Sequence, residues 1–215
     1  MPTHPPQRRP RGRPRSTGDD YPDTRQRLLR CGLERLTEGG FAALTVDDVL
    51  KRTGLPKGSF YHQFESKEAF AAAALEAYAD YFAAKLGRHF GNAGRPPLDR
   101  IRDFIDDAAT SLARHAFRRG CLVGNLGQEA STLDDSLRLR LEAILCDWEG
   151  QLANCLADAV AAGQLPSGVD CRAFAHLFWI GWEGAILRMR LTRSPAPLQA
   201  FGNFFIASLT APAIV

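Results

Sequence analysis

Apolar residues recur at three- and four-residue spacing along most of this chain, the period of helices with one buried face. Leu28, Leu29, Leu33 and Leu36 mark a first helix, capped by Asp23 or Thr24, running to about Glu38 and ended by Gly39-Gly40. Val46, Val49 and Leu50 give a second helix its inner face, with Thr45 as N-cap. Gly54 is the turn residue, free to take φ > 0, and Leu55 plugs the core beneath it. Pro56 then opens a short third helix, where its missing N–H is not needed. Ser66 starts an alanine-rich fourth helix reaching about Phe90, with Phe70, Ala74, Ala77, Tyr81 and Ala84 at helical spacing. A fifth, from about Leu98 to His115, carries Ile101, Phe104, Ile105, Ala108 and Leu112 inside.

The segment from Gly120 to Glu129 is punctuated by glycine and low in charge. Asp134 to about Ala162 reads as one long helix, with Leu137, Leu141, Ile144, Leu145, Trp148, Leu152, Leu156 and Val160 as its apolar positions. Asp170 caps a helix to about Leu191 that is apolar nearly all round, and a last helix spans Leu198 to Thr210. A helix without a polar face must be covered on several sides. The excess apolar surface of these last two helices predicts a homodimer interface, symmetric by default, with a single larger core as the alternative.

Composition narrows the class. The chain has 215 residues, 45% hydrophobic and 24% charged, which fits a soluble globular protein of one or two domains. Its net charge of +3 is unevenly spread: residues 1–67 hold 13 Lys+Arg against 8 Asp+Glu, and the remainder 14 against 16. The N-terminal third therefore suits a polyanion. Residues 1–20 read as a disordered basic arm. Within it, Arg11-Gly12-Arg13-Pro14-Arg15 is narrow enough for an A·T-rich minor groove, although a solubilising tail has the same composition. The five cysteines form no CxxC pair, and an odd number argues against a disulfide framework. No signal peptide is visible, and the longest apolar run is broken by His176 and Glu183. No membrane partner is expected, and the reducing cytoplasm is the expected compartment.

Candidate chemistry concentrates in two places. The short third helix carries Lys57, Gly58, Ser59, Tyr61 and His62, groups suited to phosphates and base edges on a helix small enough for a major groove. Further on, Cys121 follows Arg118 and Arg119. Positive charge nearby lowers a thiol pKa, and a thiolate attacks α,β-unsaturated carbonyls; a buried structural cysteine is the plainer alternative. Asn125, Gln128 and Glu129 are polar groups in an apolar segment, and Trp148, Trp179, Trp182 and Glu183 complete the candidate ligand site. Buried Glu183 needs a partner, for which Arg188 or an arginine of a second subunit is available. His89, His115 and His176 show no metal-ligand spacing, and there is no nucleophile elbow, P-loop or dinucleotide fingerprint. No metal, cofactor or catalytic residue is expected. A cysteine enzyme using Cys121 with His115, and an architectural DNA binder without a ligand, are the remaining alternatives.

The stretch TVDDVLKRTGLPKGSFYHQFESKEAF resembles the head of the TetR family of transcriptional repressors. That resemblance implies an all-α protein with a three-helix DNA-binding head at 21–66 and a six-helix ligand-binding and dimerisation body at 67–215. It implies a dimer on a near-palindromic double-stranded DNA operator, released by a small effector. Thr45, Lys57, Gly58, Ser59, Tyr61 and His62 fall on operator-contacting positions, and Lys67 on a phosphate-contacting one. Within the family, RGRPR, PKGSFYHQF, FRRGCLVGNLGQE and FWIGWEGAILR are similar to regulators of acrylate utilisation, which implies acrylate or acrylyl-coenzyme A as effector. Gly120-Cys121-Leu122 is also similar to the place where electrophile-sensing members carry a reactive cysteine, which keeps a redox or electrophile sensor as an alternative.

Overall fold

The computed structural model describes residues 20–210, with no strand among the described residues. The basic arm with Arg11, Arg13 and Arg15 lies outside them. A head is built from α1 (Asp20–Gly39), α2 (Val46–Thr53) and α3 (Lys57–Gln63). A body follows: α4 (Lys67–Phe90), α5 (Pro97–Arg114), α6 (Leu122–Gly127), a 3-10 turn (Ala130–Thr132), α7 (Asp135–Ala161), α8 (Cys171–Thr192) and α9 (Ala196–Thr210).

Local chemistry explains where most of these helices begin. Thr45 Oγ1 accepts from Asp48 N at 3.2 Å, Ser66 Oγ from Ala69 N at 3.1 Å, and Asp134 Oδ1 from Leu137 N at 2.9 Å. Such caps contribute about 1 kcal/mol each, because they satisfy amides with no partner inside the helix. Gly54 closes α2 in the left-handed region at φ 67°. Several boundaries differ from the sequence reading, among them three helix starts, with α9 opening at Ala196 rather than Leu198. Helix α1 begins at Asp20, ahead of Asp23, and α3 begins at Lys57, so Pro56 is its N-cap rather than its first residue.

Phe60, fully buried, ties α3 to the head. Its ring lies 5.1 Å from Phe70 and 5.6 Å from Phe64, with Leu28, Leu36 and Val49 buried in the same core. Because Phe70 belongs to α4, that helix starts in the head's core and ends in the body's. Its inner stripe is Phe70, Ala74, Leu75, Ala79, Phe82, Leu86 and Phe90. The expected stripe through Ala77, Tyr81 and Ala84 is a neighbouring one, and Tyr81 is 57% exposed. Both stripes obey the helical period; alanine's small size let the sequence support either.

An aromatic cluster fills the body. Phe82 and Trp148 lie 4.3 Å apart, Trp148 and Trp179 5.1 Å, and Trp182 stacks on Phe104 at 4.9 Å. Burying a side chain of this size stabilises by about 3 kcal/mol. Helix α8 meets this cluster with one side only. Its other side presents Leu177, Ile180, Leu187 and Leu191 to solvent, 60%, 59%, 43% and 70% exposed. Phe204 of α9 is 72% exposed. No described helix is long and apolar enough to cross a membrane.

Candidate functional site

The seven residues of α3 divide cleanly. Phe60 points inward, while Lys57, Gly58, Tyr61 and His62 are exposed and Ser59 is half-buried. The Lys57 ammonium lies 6.0 Å from the Tyr61 ring, so cation and phenol form one polar patch. A Cβ at Gly58 would meet nothing, which leaves this face open to a close approach. Thr45 sits at the adjoining N-terminus of α2 with its hydroxyl engaged in capping. Lys67 stands at the start of α4 with its ammonium 4.0 Å over the Phe41 ring. Ammonium, hydroxyl and phenol groups thus line one edge of the head, matched to phosphate oxygens and base edges.

A cavity of about 330 Å³ opens where head and body meet. Leu33, Phe82, Ala108, Leu112, Trp182 and Ile186 give it apolar walls, with Tyr78, Tyr81 and Ser111 as hydroxyl donors. Arg30, Lys85 and Arg119 supply cations, and the His115 imidazole joins them in the lining. Lys85 is paired with Asp107 at 2.7 Å and Arg119 with Glu34 at 3.2 Å. An apolar floor ringed by cations and hydroxyls suits a small organic anion. The cavity departs from the expected place in one respect: α1 of the head forms one of its walls.

Of the expected ligand residues, Cys121 and Trp182 line this cavity. Cys121 is the N-cap of α6, its sulfur 3.5 Å from Gly124 N and 3.8 Å from the Tyr78 hydroxyl. Its state corrects the expectation of a lowered pKa. Burial, and after it the negative charge of Glu183, push the thiol well above its ordinary value. Arg119 turns instead to Glu34, and Arg118 is exposed. Burial likewise raises the Glu183 carboxyl, against a hydrogen bond from Cys121 that lowers it. Among the described residues no arginine pairs with Glu183, so Arg188 does not supply the expected partner; the Glu183 Oε1 is buried without a hydrogen-bond partner within the chain. Gly124 makes the space, since a Cβ there would collide with the Glu183 carboxylate.

The other expected ligand residues lie elsewhere. Trp148 and Trp179 are core residues of the aromatic cluster, 1% and 2% exposed. Gln128 is exposed and borders a second cavity of about 350 Å³, on the Glu183 side of α6. Asn125 faces α1, donating Nδ2 to Leu36 O at 3.0 Å and Thr37 O at 2.8 Å. Glu129 accepts from the backbone amides of Phe41 and Ala42, both at 2.8 Å. These polar groups needed partners, as the sequence implied, and found them in backbone 87 to 89 residues away. The sequence reading missed Arg30, Tyr78, Lys85 and Arg190. Their signal was faint, because charged and phenolic residues on amphipathic helices ordinarily face solvent.

Comparison with known proteins places this geometry in a family. Residues 28–74 match the profile for bacterial regulatory proteins of the tetR family, and residues 97–205 that for the tetracyclin repressor-like C-terminal domain. The chain is 47% identical over 200 residues to the transcriptional regulator AcuR of Cereibacter sphaeroides, covering 93% of this chain and 91% of AcuR. A crystal structure of the regulatory protein TetR from Rhodobacter sphaeroides matches with a TM-score of 0.84 at 47% identity, over 86% of this chain and 97% of that one. The reduced form of Escherichia coli NemR matches with a TM-score of 0.79 at 28% identity, over 89% of this chain and all of that one, 100%.

Proposed function

The chain belongs to the TetR family of bacterial transcriptional repressors, and from that premise we propose a homodimer that holds a near-palindromic operator until an acrylate-type effector enters the cavity beside Cys121. The observation that carries the proposal is the position of that cavity. One wall is α1 of the head, so whatever fills it bears directly on the part that reads DNA. Its cations and hydroxyls suit a carboxylate or a thioester carbonyl, and its apolar walls suit a short alkene chain. Acrylate or acrylyl-coenzyme A is the effector implied by the resemblance of residues 117–129 and 178–188 to acrylate-responsive regulators. The exposed stripe of α8, with Phe204 of α9, is the surface proposed for the partner subunit. The proposed division is a basic arm at 1–20, a DNA-binding head at 21–66 and a ligand-binding, dimerising body at 67–215, working in the cytoplasm. Within that head, Thr45, Lys57, Gly58, Ser59, Tyr61, His62 and Lys67 contact the operator, joined by Arg11, Arg13 and Arg15 of the arm.

Effector capture is reversible. The raised pKa of Cys121 supports binding over thiol addition, because the thiolate is the nucleophile. A gel shift tests both parts. Lys57→Ala with Tyr61→Ala is expected to abolish operator binding while the fold persists. Cys121→Ser is expected to keep release by acrylate; loss of release in that variant overturns reversible capture and restores the electrophile-sensing alternative.

A further inference from the structure

We propose that Glu129, Asn125 and Arg190 are positioning residues that seat the head on the body in its operator-binding pose, and that a ligand in the cavity acts by loosening this seat. The proposal rests on the reading of the chain as a ligand-released operator binder. The last turn of a helix leaves carbonyls without intrahelical partners and carries the negative end of the helix dipole. Helix α1 has no basic side chain in its own last turn. Arg190, from α8, brings the cation: its Nη2 donates to Glu38 O at 2.7 Å and its Nη1 to Asn125 Oδ1 at 3.0 Å. Asn125, oriented by that bond, donates in turn to the carbonyls of Leu36 and Thr37.

Just beyond, the backbone offers the opposite polarity. Gly40 takes φ 75°, and the amides that follow it, from Phe41 and Ala42, both donate to the Glu129 carboxylate. Successive amides turned to one side form a concave anion site. A Cβ at Gly40 would collide with Glu129 Oε1, so the approach needs glycine for space as well as for backbone angle. A cation therefore meets the carbonyl end and a carboxylate the amide end. Charge-assisted bonds of this kind are roughly twice as strong as neutral ones.

The cavity lies between the two parts so joined. Thr37 of α1 stands on one side, with Gly120 and Cys121 of the segment leading to Asn125 and Glu129 on the other. Gly120 N donates to Thr37 O at 2.8 Å across that edge. A ligand that needs these walls further apart works against the seat. By linkage, whatever weakens the seat must then tighten ligand binding by the factor the ligand gains.

The test uses the full chain, a duplex that the wild type selects from a random pool, and sodium acrylate. Glu129→Ala and Asn125→Ala are expected to lose operator affinity by roughly tenfold or more and to bind acrylate more tightly by up to the same factor. Glu129→Gln, which keeps an acceptor oxygen, is expected to fall between them and the wild type. The Phe41 and Ala42 amides should exchange hydrogen faster in Glu129→Ala. A merely structural role weakens operator binding without tightening acrylate binding, and that result overturns the proposal, as does operator affinity within about twofold of wild type. If wild-type operator binding ignores acrylate, the effector assignment fails instead. The seat is then judged without ligand: joint loss of operator affinity and exchange protection upholds it, and unchanged affinity overturns it.

Discussion

Cys121 and Glu183 lie together in a buried part of the body, and burial holds the proton on both; the Glu183 charge raises the thiol further, while the Cys121 hydrogen bond works against the rise of the carboxyl. The consequence for Cys121 is a slow thiol. With a maleimide at neutral pH, the exposed Cys146 is expected to label first, and Cys121 roughly tenfold more slowly or less. Peptide mapping by mass checks this, and equal rates would mean an accessible, ionised Cys121. For Glu183 the consequence is a pH slope in stability. Its folded pKa is raised above the unfolded value, so the folded state holds the proton more tightly. That contribution is fully present below the unfolded pKa and is lost as pH rises through the raised folded value. The melting temperature of the wild type should therefore decline over that window, and Glu183→Gln should flatten the decline. An unchanged slope in the variant would show the carboxyl to be solvated.

At the scale of elements, α3 and α8 each separate an inward duty from an outward one. In α3, Phe60 holds the helix and Tyr61 faces out. Phe60→Ala is expected to cost about 3–5 kcal/mol of stability, since it empties a fully buried ring site. Tyr61→Ala should leave the melting temperature nearly unchanged and weaken operator binding. A thermal melt and a binding curve on both variants separate anchor from reader. In α8, the inward side builds the aromatic core, and the outward side carries Ile180 and Leu191. Ile180→Glu with Leu191→Glu is expected to give a monomer by sedimentation. Operator affinity should fall by roughly a hundredfold as two linked heads become one. A dimer that survives both charges would place the interface elsewhere.

At the scale of the whole molecule, the proposed division into arm, head and body makes the affinity for DNA a sum of what each part engages. Every arginine that neutralises a phosphate steepens the salt dependence of binding by about one unit. Removing residues 1–17, with Arg11, Arg13 and Arg15, should therefore flatten that dependence; an unchanged slope would make the arm only a tail. Much of the fold was legible beforehand because its determinants are short-range. A cap such as Thr45 bonds an amide three residues on, and Gly54 answers a backbone angle of its own. Helical period and the identity of the α3 side chains are likewise written within a few residues. These features fixed the helices, the head and its class of partner. The site in the body was legible only as a list of polar residues in apolar company. Whether Asn125 and Glu129 would meet a ligand or α1 depended on backbone 87 to 89 residues away. The ionisation of Cys121 turned on burial and on a carboxylate from another helix, not on the arginines beside it in the chain. Desolvation and long-range pairing come into being only when the chain packs, and so the tertiary structure alone decided them.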